Sequence, residues 1–346
     1  MNAFAGRLAT RHPLIQAPMA GVQGSALALA VSGAGGLGSL PCAMLGADAL
    51  RAELGALKAS GLPYNVNYFS HTPPVPDAAR EAAWRAALKP YYDELELDIA
   101  AIPAGPGRAP FTAEAADLLV EFAPPVVSFH FGLPAPDLLA RVKAWGAFVL
   151  SSATTVREAL WLQAHGADAI IAQGWEAGGH RGHFLSDDLT EQPGTFALLP
   201  QIVAAVRLPV IAAGGIADAA GVRAAMALGA AGVQVGTAYL CADEATTSPL
   251  HRAALQSEAA RHTAVTNCFT GRPARGIVNR LMREQGPISP SAPAFPLATA
   301  AVAPLRAAAE KLGRSDFTSM WSGQNASQCR SAPAAQITAA LAKGLS

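Results

Sequence analysis

Eight short apolar runs, spaced by Ala- and Leu-rich stretches, limit the fold of this chain more than any other feature. They occupy residues 14–19, 36–40, 64–69, 126–131, 148–152, 169–173, 210–213 and 232–240. Short apolar runs bounded by turn residues read as strands buried on both faces. Helical patterns fill the intervals at 47–59, 78–97, 136–145, 156–165, 196–206 and 219–228. Strands alternating with helices predict a parallel sheet. Eight such units in a chain of 346 residues predict an α/β fold of the closed (β/α)8 TIM-barrel type, with a doubly wound open sheet as the alternative.

Two stretches exceed a minimal barrel. The third unit carries the Pro-rich residues 72–76 and a bend at 103–110, so residues 1–255 are expected to form the barrel with an insertion around 72–112. Residues 256–346 are too many for one closing helix. Their Gly, Pro and Arg content at 261–296 suits a small additional domain or lid, after which 316–322 and a helical tail from Ala334 return to the barrel.

Composition narrows the partners. Hydrophobic residues make up 51% and charged residues 14%, with 25 basic against 25 acidic side chains and no basic run. That argues against nucleic acid or an anionic membrane and leaves a small molecule as the expected partner. Cys42, Cys241, Cys268 and Cys329 lack pair spacing, as reduced cytosolic thiols do. Residues 1–11 hold no signal-peptide core, and the apolar stretch 26–31 is too short to span a bilayer. A cytoplasmic monomer or homodimer is expected.

In a barrel of this type the chemistry gathers at the C-terminal strand ends. Those ends read Gln16-Ala17-Pro18-Met19, Asn65-Val66-Asn67-Tyr68-Phe69, Ser128-Phe129-His130-Phe131-Gly132, Ser151-Ser152, Ala212-Ala213-Gly214-Gly215-Ile216 and Gln234-Val235-Gly236-Thr237. The sixth run is the most loaded, ending in Gln173-Gly174-Trp175-Glu176-Ala177-Gly178-Gly179-His180-Arg181-Gly182. Gly178 and Gly179 permit close backbone approach or positive φ, and His180 is suited to moving protons near neutral pH. The competing reading is a surface turn with solvated histidines. His180 and His183 lack an evident third ligand, so no metal is expected.

Gly214-Gly215 and Gly236-Thr237, after the seventh and eighth runs, offer backbone N–H groups and a hydroxyl to a phosphate. Gly33-Ala34-Gly35-Gly36-Leu37-Gly38 matches the dinucleotide pattern G-x-G-x-x-G, but it follows a helical pattern and precedes a strand. That order is reversed for a dinucleotide site, so it reads as a helix C-cap and loop. Amides such as Asn67 and Gln173 could bond the edge of a flat ring, and together with a phosphate site they span a molecule the size of flavin mononucleotide (FMN).

These segments, together with Met320-Trp321-Ser322-Gly323-Gln324, resemble the nitronate monooxygenases (formerly 2-nitropropane dioxygenases), in particular their class I branch. The likeness covers nearly the whole chain. The Glu-Ala-Gly-Gly-His segment is also shared with flavin-dependent enoyl-carrier-protein reductases and some NADH:quinone reductases. The resemblance implies a (β/α)8 barrel with a small second domain, non-covalent FMN, and oxidation of alkyl nitronates by O2. It implies His180 as catalytic base and His130 as a candidate for the substrate pocket. Carried onto matching positions, it implies a cofactor site drawn from Met19, Asn67, Gln173, Gly178, Gly179, Gly214, Gly215, Gln234, Val235, Gly236, Thr237, Gly323 and Gln324. The principal rival keeps FMN but makes the enzyme an NAD(P)H-dependent reductase; a phosphate-binding lyase or a flavin carrier is the third reading.

Overall fold

The computed structural model describes residues 2–102 and 108–345, so most of the bend expected at 103–110 lies outside the described residues. Eight parallel strands form the expected barrel: β1 (Leu14–Gln16), β2 (Gly38–Pro41), β3 (Tyr64–Phe69), β4 (Val126–His130), β5 (Phe148–Ala153), β6 (Ala169–Gln173), β8 (Val210–Ala213) and β9 (Gly232–Val235). A two-residue strand outside it, β7 (Gly179–His180), interrupts the numbering. The barrel order is β1-β9-β8-β6-β5-β4-β3-β2, and the ring closes where Ile15 bridges Leu37, with Gln16 N donating to Leu37 O at 2.9 Å.

Three strands fall short of their apolar runs by two residues or more at one end, each for a backbone reason. β1 stops at Gln16, just before Pro18, which has no N–H to donate. β2 starts at Gly38 because Gly36 N donates to Val31 O at 3.1 Å and closes the preceding helix (Ser25–Gly33). Gly35, at φ +94°, makes that turn, which is why the G-x-G-x-x-G pattern is a helix end here. β9 stops at Val235 because Gly236, at φ −116° and ψ −66°, turns the chain into a single 3-10 turn, Thr237–Tyr239.

The lumen has two halves. At the bottom, Ile15, Leu37, Leu150, Ile171 and Ile211 pack under Phe4 and Leu8 of the N-terminal segment. At the top the inward positions turn polar: Ser39, Asn65, Asn67, Ser128, Ser152 and Gln173 are all buried. Buried polar groups need partners, and these find each other. Asn65 Nδ2 donates to Ser39 Oγ and Ser128 Oγ, both at 2.9 Å, and Asn67 Nδ2 donates to Ser128 Oγ at 2.9 Å.

The two excursions join. The inserted helix Ala78–Glu94 places Trp84, Leu88, Tyr91 and Tyr92 in one apolar cluster with Phe269, Leu281, Met282, Leu305 and Phe317 of the C-terminal excursion. Tyr92 Oη donates to Ala301 O at 2.7 Å, and Glu94 accepts from Arg280 and Arg314. Neither excursion is large enough to bury its apolar face alone; together they make one core. From this body β10 (Thr263–Thr266) and β11 (Ala274–Ile277) form an antiparallel pair, and β11 in turn pairs with β7. The last helix, Ala334–Ala342, returns to the barrel, where Ile337 and Leu341 enter its largest apolar cluster. Among the described residues no helix is long and apolar enough to cross a membrane.

Candidate active site

The segment after β6 is held by a dense set of bonds. Gln173 Nε2 donates to His180 O at 2.9 Å, and Gln173 Oε1 accepts from Gly182 N at 2.7 Å. His130, from the end of β4, meets the same carbonyl through Nε2 at 3.1 Å, while its Nδ1 lies 3.0 Å from Ser152 Oγ. A carbonyl only accepts, so His130 carries its proton on Nε2 and Nδ1 accepts from the serine. Nε2 is therefore spent on the backbone of His180, and Nδ1 on the Ser152 hydroxyl that orients the ring. Burial, first of all, pushes His130 down to about 4, with Arg272 and Arg181 adding to it, so the ring is neutral at neutral pH.

The side chain of His180 reaches across to the excursion. Its Nε2 lies 3.0 Å from Thr270 Oγ1, whose hydroxyl in turn donates to Arg272 O at 3.3 Å. With the Thr270 proton directed at Arg272 O, Oγ1 is free to accept, and in that arrangement Nε2 of His180 is the protonated nitrogen and Nδ1 holds the lone pair. Burial, then Arg108, His130, Arg272 and His71, hold the imidazole well below its ordinary value. Four aromatic rings surround it: Phe295 at 5.3 Å, Trp321 at 5.6 Å, Phe131 at 6.0 Å and Phe69 at 6.2 Å between centroids.

Two guanidiniums edge this chamber. Arg272 stacks 4.1 Å over the Phe131 ring and donates to His183 O; Arg108 lies 5.9 Å from the Phe295 centroid and donates to Thr299 Oγ1 at 3.0 Å. Neither forms an ion pair with a carboxylate among the described residues. Burial lowers both, and Arg272 at about 10 stays cationic at neutral pH. Thr270, Arg272, Arg108, His71 and Phe295 were absent from the sequence reading. No spacing pattern marks them, because the insertion and the C-terminal excursion bring them to β7 only in three dimensions.

Other residues of the motif serve the frame. Arg181 is fully buried; it donates to Gln173 O, Gly174 O and Gln192 Oε1 at 2.7–2.9 Å and lies 5.3 Å from the Trp175 ring. Glu176 accepts from Thr195 N at 2.7 Å, at the start of the helix Thr195–Ala205, where a carboxylate also suits the helix dipole.

Around the rim the glycines divide into two kinds. A Cβ on Gly178 would lie 2.5 Å from Gly323 N, and one on Gly323 would lie 2.9 Å from Glu176 O; these two let backbone pack on backbone. Gly214, at φ +116°, is likewise close, 2.8 Å from Thr195 Oγ1. Gly179 and Gly215, at φ +71° and +74°, face open space by comparison: nothing lies within 4 Å of the first and only Glu176 side-chain carbons within 4 Å of the second. Gly236 lies beside Met19, whose Sδ would be 3.7 Å from an added Cβ. Gln234 Oε1 is buried without a partner among the described residues. Val235 turns outward into the barrel–helix core. Thr237 Oγ1 accepts from Gly323 N at 2.9 Å, Gln324 N donates to Glu176 O at 3.0 Å, and Asn325 Nδ2 donates to Gly215 O at 3.1 Å. The late segment is thus sewn onto both the β6 and the β8 loops.

A barrel whose C-terminal rim holds an oriented, neutral imidazole in an aromatic chamber, roofed by the packed insertion and C-terminal excursion, has the architecture of an enzyme. Comparison with known proteins gives the particular kind. The family model described as nitronate monooxygenase matches residues 2–344. Nitronate monooxygenase of Paraburkholderia phytofirmans is 43% identical over 340 residues, covering 96% of this chain and 92% of that one. That of Pseudomonas aeruginosa is 41% identical over 351 residues, covering 99% of each. Among solved structures, nitroalkane oxidase from Streptomyces ansochromogenes superposes with a TM-score of 0.90 at 38% identity, covering 99% of this chain and 97% of the other. FabK from Thermotoga maritima superposes with a TM-score of 0.71 at 26% identity, covering 99% and 96%. The chain belongs to the nitronate monooxygenase family, and it is an oxidoreductase.

Proposed function

We propose that the protein oxidises alkyl nitronates with O2 to carbonyl compounds and nitrite, using FMN, and that His180 is the base that admits neutral nitroalkanes to the same reaction. The observation that carries this is the relay from His180 Nε2 through Thr270 to Arg272 O, which leaves Nδ1 unprotonated inside an aromatic chamber.

The residues at the rim fit a flavin. The orphaned Gln234 Oε1 is an acceptor in want of a donor, which a flavin ring N–H supplies. The space left at Gly215 and Gly179 admits a ligand close to backbone. Gln234, Gly215, Gly236 and Thr237 would hold FMN, with Met19, Asn67, Gln173, Gly179 and Gln324 around it. Bound there, FMN would supply the redox chemistry. Gly178, Gly214 and Gly323 act one step removed, by allowing the loops to meet.

The chain's own part is to bind, orient and move a proton. A nitroalkane seated among Phe69, Phe131, Phe295 and Trp321 is shielded from water. Its α-proton passes to His180 Nδ1, because a carbanion-like nitronate must form before electrons can leave. Arg272 and Arg108, in no ion pair with a carboxylate among the described residues, favour the negative charge that develops on the nitro oxygens. His130 and Gln173 keep the His180 backbone still while the proton moves.

Oxygen uptake with a panel of nitronates tests the activity, and anaerobic mixing with NADH and NADPH tests the reductase alternative. Rapid bleaching of the flavin by either nucleotide would sink the nitronate reading. The role of His180 is tested by H180N. Turnover of neutral nitroalkanes is expected to fall by about a hundredfold or more, turnover of preformed nitronates far less, with flavin still bound. Loss of flavin in H180N would assign the residue to the frame instead.

A further inference from the structure

His71 has no part in the scheme above, yet it belongs to the same chamber. It follows β3 by two residues and is 7% exposed. Its ring meets Phe295 edge-on at 4.8 Å and Phe131 at 6.1 Å, the two rings that also flank His180. A hydrogen bond to the Arg108 backbone favours its protonated form, as donation from a ring N–H to a carbonyl does. Nδ1 is buried without a partner among the described residues, so the donating nitrogen is Nε2 and Nδ1 is a bare acceptor. Burial, then Arg272, pushes His71 down to about 4, which keeps the ring neutral.

Arg272 stacks on the same Phe131 ring, and its Nε–H is also buried and unpartnered among the described residues. An acceptor and a donor are thus orphaned beside one ring. Buried polar groups in native proteins are normally satisfied. A carboxylate would serve Arg272 but set a lone pair against Nδ1, and a methyl would serve neither. A hydroxyl serves both, accepting from Arg272 and donating to His71.

We infer that the enzyme favours nitronates bearing a hydroxyl group away from the reacting carbon, received between His71 Nδ1 and Arg272 Nε. This rests on the nitronate reading of the His180 chamber. The test compares kcat/KM of the wild-type holoenzyme for the nitronate of a nitroalkanol with that for the nitronate carrying a methyl in the hydroxyl's place. The hydroxyl compound is expected to be favoured by about tenfold or more. In H71F, which keeps the ring and loses the acceptor, that ratio is expected to collapse toward one, and H71N, whose amide can present oxygen at the Nδ1 position, to restore part of it. Flavin content and thermal midpoint serve as controls of folding. If H71F does not fold, H71Q, whose amide reaches only the Nε2 position, takes its place with the same expectation. A ratio near one in the wild type, as a chamber filled by ordered water would give, overturns the inference, and so does a ratio unchanged in H71F or H71Q. Turnover of neither compound overturns the nitronate reading along with it.

Discussion

At the scale of single residues, the site is decided by which nitrogen of which histidine holds a proton. His130 ends β4 and His180 lies in β7 beyond β6, and both are buried enough to stay neutral, but they are used differently. His130 has both nitrogens bonded within the protein, whereas among the described residues His180 has one bonded to Thr270 and no hydrogen bond on the other. Thr270→Val removes the oxygen that fixes the tautomer while keeping the side-chain shape. Activity on neutral nitroalkanes is expected to drop about tenfold, with little change on preformed nitronates; equal losses on both would refute a role in proton transfer. The pH profile carries the same signature. Burial, first of all, holds His180 below 6.5, so the free imidazole persists as pH falls through that value. The acid limb of kcat/KM for a neutral nitroalkane is therefore expected on the acid side of 6.5, and a limb centred at or above it would count against His180 as the base. His180 could be singled out in the sequence because two glycines and a Gln surround it; Thr270 could not, since nothing near it in sequence distinguishes it from any other turn threonine.

At the scale of elements, the decisive event is that a loop becomes a strand. Gly179 and His180 pair with Arg275 and Ala274 of β11, which ties the segment after β6 to the C-terminal excursion. Arg275, in that strand, also donates to Trp175 O at 3.0 Å. The sequence showed the two glycines but gave them one purpose. Gly178→Val places side-chain carbon against the backbone at 322–323 and is expected to push the late segment away, lowering both thermal midpoint and flavin retention. Gly179→Ala meets no protein atom within 4 Å and is expected to cost the fold only the left-handed backbone strain, about 1–2 kcal/mol, its methyl facing the space proposed for FMN. Thermal melts of the two purified variants in flavin-free form check the contrast; equal losses would show that close packing at Gly178 is unimportant.

At the scale of the whole molecule, burying so many histidines makes stability depend on pH. His71, His130 and His251 are held at about 4 and His183 at about 3, burial being the main cause in each. The unfolded chain takes up these protons near 6.5, the folded one only near 3 to 4. Their contribution to stability is therefore complete above 6.5 and is lost as pH falls from there through about 4. A thermal midpoint that drops steadily between those limits is expected, and a drop flattened in H251F would assign part of it to the ring that bonds Trp321 O at 3.1 Å. A midpoint constant from pH 7 to 4 would contradict the burial of these rings. The sequence by itself determined the barrel, because each apolar run carries its own strand signal and each polar strand end its place on the rim. It also carried His180, Gln173 and the rim glycines, since local composition marks them. Only the tertiary structure decided that the insertion and the C-terminal excursion share one core, and that this core delivers Thr270, Arg272, Arg108 and Phe295 to His180. Those contacts join residues about ninety or more positions apart in several cases, as in His180 with Thr270, and they follow from the packing of apolar faces, which no local pattern records.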